Sequence, residues 1–548
     1  MKYLPFALLL LIAGCSRPPA TTPASTWVRY DQAGEIDNNA DNSSRRLRYK
    51  LIQSRNTDRA EMLDVATQQL AGFSGGDYER LHPLVFNQDI PTMQEHVAAG
   101  RLTYADLTRW YLYRIVSFES NRETYLNALI ALNPRAVAEA RAMDQERTGS
   151  HHPIFGMPVL LKDNVDVAGM PTTAGAHALA NNMAEDAFIT KRLKANGAII
   201  LGKTNLSEWA NFLCDGCPNG YSALGGQTLN AYGRKTIDTG GSSSGSGAAM
   251  AANYAAAAVG TETSGSILSP SSQSSLVGLK PTVGLLSRSG IVPISSTLDT
   301  PGPMTRSVTD NAILLSAMSG ADAEDPATVF DLGDKPYWEE VATGSLTGKR
   351  FGVIRRFLDN PLYVTALKRV VALGADTVVY DPPEADLTGF LALLNADMRE
   401  DLPAYLKAHA GPEVKVTDVP TVIAHNSADT TNRIPYGQAV FLGIVAEETR
   451  GEAHEELKAR LLREGTRYFA EPMAKHRLDA VLSINNYSAG FAAVAHHPAL
   501  TVPMGYGEGG APFGLTIIGR PFTENTLLKM AYAFEKSTAS RVAPKAFN

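Results

Sequence analysis

The stretch from residue 239 to residue 303 limits what this chain can fold into more than any other. It carries two glycine- and serine-rich nests, Thr239-Gly-Gly-Ser-Ser-Ser-Gly-Ser-Gly247 and Gly260-Thr-Glu-Thr-Ser-Gly-Ser266, on either side of an alanine-rich run. Glycine lets backbone N–H groups approach a ligand or take positive φ, and serine supplies a hydroxyl that caps, relays a proton or attacks. The run from Ala248 to Val259 is apolar nearly all round. That predicts a helix buried on every side, with one nest pinned at each end.

Three readings of the first nest compete. A phosphate-binding loop requires lysine directly after its second glycine, but Ser246 and Gly247 follow Gly245. A nucleophile elbow centred on Ser243 requires a buried strand before it, and the polar run from Gly233 to Asp238 cannot be one. A flexible Gly/Ser linker is the bland reading, and the apolar run that follows at once argues against it.

The segments Gly240-Gly-Ser-Ser-Ser-Gly-Ser246, Gly260-Thr-Glu-Thr-Ser-Gly-Ser-Ile267 and Val277-Gly-Leu-Lys-Pro-Thr282 together resemble the signature of the amidase signature family of serine hydrolases. The likeness continues in Gly156-Met-Pro-Val-Leu-Leu-Lys-Asp-Asn164, Gly202-Lys-Thr-Asn-Leu-Ser-Glu-Trp209, Asp299-Thr-Pro-Gly-Pro-Met-Thr-Arg306 and Pro512-Phe-Gly-Leu515. Softer matches at Asn426-Ser-Ala-Asp429 and Pro435-Tyr-Gly-Gln438 are similar to the peptide amidase branch.

Amide hydrolysis needs a nucleophile, a base, a proton donor for the leaving amine and donors for the oxyanion. The resemblance implies Ser266 as nucleophile, Ser242 as proton relay and Lys162 as base, with the backbone N–H groups of Thr263, Ser264, Gly265 and Ser266 as oxyanion hole. It also implies a cis peptide before Ser242. A lysine base must be neutral, and desolvation among buried groups lowers its pKa. Ser264 and Leu268 depart from the residues many relatives carry, glycine or aspartate and arginine respectively. The implied substrate is a small amide or peptide amide. An N-acyl amine and an amidotransferase A role are the alternatives that share the mechanism.

Other function classes find less support. His151-His152 and His496-His497 are adjacent pairs with diverging side chains, and H-E-x-x-H and S-x-x-K are both absent. No metal or cofactor is expected. A lipoprotein that only binds ligands would not require all three signature residues. The net charge of -6 speaks to solubility and gives no reason to expect nucleic acid.

Met1 and Lys2 precede an apolar run from Leu4 to Ile12, and Ile12-Ala-Gly-Cys15 resembles a bacterial lipobox. Residues 1–14 are thus expected to be a lipoprotein signal peptide and residues 15–30 a tether. Cys15 would be lipidated and hold the protein at the periplasm-facing membrane of a bacterial envelope. Cys214 and Cys217 remain, with a redox motif, half a zinc site or a local disulfide as readings; an oxidising envelope favours the disulfide.

Residues 31–89 are expected to form a helical extension, with an amphipathic helix around Ala60 to Leu70. Residues 90–548 form the amidase domain, in which residues 385–475 are a helical region walling the substrate cleft. Helices opening near Thr103 and Asn133 alternate with apolar runs at Ile154 to Leu161 and Ala198 to Leu201. The pattern predicts an α/β fold, and the resemblance a single large domain whose central mixed sheet is covered by helices on both faces.

Overall fold

The computed structural model describes residues 27–328, 335–538 and 540–548. The expected signal peptide, Cys15 and the tether up to residue 26 lie outside the described residues.

The strands are β1 Leu129–Leu132, β2 Pro158–Lys162, β3 Ile199–Thr204, β4 Tyr221–Ser222, β5 Gly226–Gln227, β6 Ala257–Glu262 and β7 Val277–Lys280, then β8 Thr300–Thr305, β9 Arg350–Ile354, β10 Asp376–Tyr380, β11 Ala480–Ile484, β12 Ala499–Tyr506 and β13 Pro512–Ile518. All but the small β4–β5 hairpin join one 11-stranded mixed sheet, in the order β1-β3-β2-β6-β8-β7-β12-β13-β11-β9-β10. Its centre is parallel where β2 lies between β3 and β6. It turns antiparallel from β8 onward and parallel again at the β11–β9–β10 edge. Helices pack on both faces, as a doubly covered sheet requires.

Sequence signals and structure agree at several elements. Thr103 caps the helix Tyr104–Glu119 by accepting the Asp106 N–H. The helix Arg59–Gln69 forms where the amphipathic pattern placed it. The strand ending in Lys162 and the one following Gly197 both form.

The alanine-rich run is a correction. The helix spans only Ser244–Ala251, and β6 begins at Ala257. Asn253 takes φ of 59°, its N–H bonds the Met250 carbonyl, and the Tyr254 N–H bonds the Ala249 carbonyl. That is a Schellman stop with asparagine at the left-handed position. A short apolar run cannot be assigned to helix or buried strand by periodicity alone, and here it contains one of each. The second nest is therefore mounted on a strand end.

The tether also ends earlier than expected. Trp27 is buried edge-on against Tyr125, beneath the Arg59 guanidinium. The Tyr30 hydroxyl bonds that of Tyr125. Burial of such rings stabilises by area and by the cation–π contact, so residues 27–30 belong to the body. Residues 31–89 likewise share the main core, through Leu63, Leu70, Leu81 and Val85.

Residues 385–475 are helical, with helices Phe390–Ala408, Val419–Ser427, Ala439–Ala446 and Gly451–Lys475. They close over a second apolar cluster, which reaches Trp209 and Leu298 of the body through Leu402, Val422 and Phe441.

Candidate active site

The first nest is built on backbone contact. The Gly245 N–H donates to the Asn205 carbonyl at 2.9 Å. A Cβ at Gly245 would lie 2.3 Å from that oxygen and 2.4 Å from the Ala128 carbonyl, so only glycine lets the helix start sit on the β1 and β3 ends. Ser246 fixes the same helix to the sheet, donating to the Val259 carbonyl at 3.0 Å and meeting Thr204 Oγ1 at 2.8 Å. The Asp238 carboxylate accepts the Gly240 N–H at 2.9 Å and holds the loop that leads in. The peptide between Gly241 and Ser242 is cis.

Lys162 enters this nest from the end of β2 and is fully buried. Its Nζ lies 2.7 Å from Ser242 Oγ, 2.8 Å from Thr261 Oγ1 and 3.1 Å from the Thr261 carbonyl. Among the described residues no carboxylate forms an ion pair or hydrogen bond with it. Desolvation pushes its pKa down to about 7, opposed by the charges of Asp299 and Glu262. In the neutral amine two N–H groups serve Thr261, and the lone pair is left to accept the Ser242 O–H. The Asn164 side chain steadies Thr261, donating to its Oγ1 at 3.0 Å.

The second nest follows β6 directly. The Ser243 N–H donates to the Ser266 carbonyl at 3.1 Å and joins the two nests. Ser266 keeps 9% exposure while Ser242 has none, so of the two hydroxyls the one a substrate reaches is that of Ser266. No hydrogen bond links the hydroxyls of Ser242 and Ser266 among the described residues.

Glu262 shapes the loop. Its carboxylate accepts the N–H groups of Gly265 at 2.6 Å, Ile267 at 2.7 Å and Leu268 at 2.9 Å. The four-donor oxyanion hole is corrected on this point, because the Gly265 N–H is engaged by its own loop's carboxylate. The N–H groups of Thr263, Ser264 and Ser266 have no protein acceptor among the described residues. Gly265, at φ of 85°, makes the turn that separates them.

Cys214 and Cys217 form a disulfide with Cα atoms 5.9 Å apart. The histidine pairs lie elsewhere: His151 stacks on Phe155, His152 meets Trp338, and His497 Nδ1 bonds the Gly519 carbonyl. Reasoning from residue types assigned no role to Asn164, Thr261, Glu262 or Asp299. All four sit inside the quoted motifs, which were the signal that could have found them.

The amidase family profile matches residues 106–528. A protein of Arabidopsis thaliana named "Probable amidase" is 38% identical over 466 residues, covering 81% of this chain and 89% of that protein. Among solved structures, an amidase family protein from Bacillus anthracis str. Ames matches with a TM-score of 0.86 at 36% identity, covering 90% of this chain and 99% of that one. The native peptide amidase of Stenotrophomonas maltophilia matches with a TM-score of 0.79 at 38% identity, covering 84% and 98%. With the fold, the paired nests and these likenesses in agreement, the chain belongs to the amidase family, the amidase signature hydrolases that act on amides.

Proposed function

We propose that this protein hydrolyses the C–N bond of a small carboxamide or peptide amide through an acyl-enzyme on Ser266. The observation that carries this reading is a fully buried lysine whose Nζ lies 2.7 Å from Ser242 Oγ with no carboxylate paired to it among the described residues. Neutral Lys162 takes the Ser242 proton, Ser242 takes the Ser266 proton, and Ser266 Oγ attacks the amide carbon. The oxyanion meets the N–H groups of Thr263, Ser264 and Ser266. The proton returns along the same relay to the leaving amine as the C–N bond breaks. Water then adds to the acyl-enzyme by the reverse relay, releasing the carboxylic acid. Catalytic hydrogen bonds commonly tighten only in the substrate complex, which is where the Ser242–Ser266 contact is required.

A peptide amide is favoured over an N-acyl amine by the likeness to the Stenotrophomonas maltophilia peptide amidase. Export and lipidation at Cys15, with the body facing the periplasm, complete the proposal. They are supported by the Leu4 to Ile12 run and the lipobox-like Ile12-Ala-Gly-Cys15.

A fluorophosphonate probe, followed by peptide mass spectrometry, should label Ser266, and Ser266→Ala should abolish both labelling and ammonia release from a C-terminally amidated peptide. Ammonia release by Ser266→Ala at the wild-type rate overturns the mechanism. Hydrolysis of fatty-acid ethanolamides in preference to peptide amides replaces the substrate. Cys15→Ser should leave the membrane fraction for the soluble one.

A further inference from the structure

The loop before β8 holds an aspartate that the relay does not use. Asp299 is partly buried, and its carboxylate accepts three hydrogen bonds. These are the Thr263 hydroxyl at 2.5 Å, the Ile294 N–H at 2.8 Å and the Ser295 N–H at 2.9 Å. Three donors favour its charged form against the desolvation that raises its pKa. Asn164, Thr261, Thr263 and Asp299 line one small cavity, so the carboxylate stands across a gap from the group that cradles Lys162 Nζ.

The loop carrying Asp299 is itself tied down. The Ser295 hydroxyl donates to Asp397 at 2.5 Å and the Ser296 N–H to Asp401 at 2.6 Å, both on the helix Phe390–Ala408. Asp397 is held in turn by His454 Nε2 at 2.8 Å. A hydroxyl pinned to a fixed carboxylate is how a rigid scaffold transmits its position to a reacting loop.

We infer that Asp299 is a positioning residue for both halves of the site: it fixes Thr263, the first residue of the oxyanion loop, and supplies negative charge across a small cavity from Thr261, whose hydroxyl and carbonyl hold Lys162 Nζ. This rests on the proposed Ser266 chemistry. The two roles separate by substitution. Thr263→Val keeps the volume and the backbone N–H but removes the hydroxyl, so the loop loses its anchor while the charge stays. Asp299→Asn removes the charge. The other charged group facing Lys162 is Glu262 on β6. Arg288 and Asp401 face Asp299, and Asp163 pairs with Lys203.

The test is a set of pH–rate profiles on a C-terminally amidated peptide. Thr263→Val should lower kcat roughly tenfold or more, the scale on which small misplacements act. KM should change less and the acid limb should not move. Thr263→Ser, which restores the hydroxyl, should recover most of the rate. Asp299→Asn should move the acid limb to lower pH by about half a unit or more, because a protonated lysine loses a favourable charge. Should that variant fail to fold because its amide faces the Ile294 and Ser295 N–H groups, Asp299→Ser removes the same charge without adding an amide.

Wild-type kcat in Thr263→Val overturns the anchoring role, and an unmoved acid limb in the folded Asp299 variant overturns the electrostatic one. Full activity of Ser266→Ala, run in the same series, would instead remove the reaction on which both rest.

Discussion

Two lysines near the ends of neighbouring strands live in opposite surroundings. Lys162 ends β2, and Lys203 lies beside it on β3, where Leu161 pairs with Lys203 and Lys162 pairs with Thr204. One register step places the two side chains on opposite faces. Both are fully buried. Lys203 Nζ meets the Asp163 carboxylate at 3.1 Å and Thr172 Oγ1 at 2.9 Å. Among the described residues Lys162 Nζ bonds two hydroxyls and a carbonyl. Burial is common to both, so the partner decides what each lysine is for. A paired charge holds structure, and an unpaired amine is free to give up its proton.

The largest expected break in this comparison is in rate. Lys162→Met should lower kcat/KM by about a thousandfold or more, within the range general bases supply, while the protein keeps its fold. Lys203→Met should behave the other way. It strands the Asp163 carboxylate, which also accepts from Thr173 and Gly175, in a dry interior. Breaking one side of a buried pair costs about 3–5 kcal/mol, to be read as a fall in denaturant midpoint. Equal stability loss in the two variants would erase the contrast.

pH sharpens it. Activity should rise with pH through about 7, the value to which burial lowers Lys162. The same shift makes a stability statement. Lys162 is lowered from 10.5 to about 7 in the native state, so between those values the unfolded chain binds more protons and stability rises with pH. The destabilisation is full below about 7 and fades towards the unfolded value, on the order of 5 kcal/mol in total at 1.36 kcal/mol per unit. Melting curves of wild type and Lys162→Met should converge in this sense from pH 7 to pH 10. Parallel curves would mean that the lysine is charged in the native state at neutral pH.

The smallest effect concerns how the helical region of residues 385–475 is fixed to the β2 side of the body. The Tyr405 hydroxyl donates to Asp166 at 2.8 Å and accepts from Asn182 at 3.0 Å. Tyr405→Phe should cost about 1–3 kcal/mol in urea melts, because buried polar groups lose a partner. Its acid limb should match wild type, since the bond lies away from Lys162.

Much of the site was legible because its parts are local. Ser242 and Ser266 sit in glycine-bearing motifs whose spacing is covalent, and Lys162 ends a strand whose apolar run announces it. Residue types also announced the α/β class, since helix and strand periodicities differ. Gly265 was misjudged because the orientation of its N–H depends on Glu262 closing back on its own loop, a contact no spacing rule describes. Trp27 was placed in the tether because one aromatic in a polar stretch reveals nothing of Tyr125, 98 residues away.

The sequence by itself determined which hydroxyls and which amine are available, where the chain must carry glycine, and that strands alternate with helices. Only the tertiary structure decided that β2 and β6 lie side by side, that Lys162 and not Lys203 lacks a carboxylate, and that Asp299 reaches Thr263. The physical reason is range. Propensity and periodicity act over a few residues, whereas desolvation and charge depend on whatever the fold brings within a few ångströms, and residues far apart in sequence supply most of that.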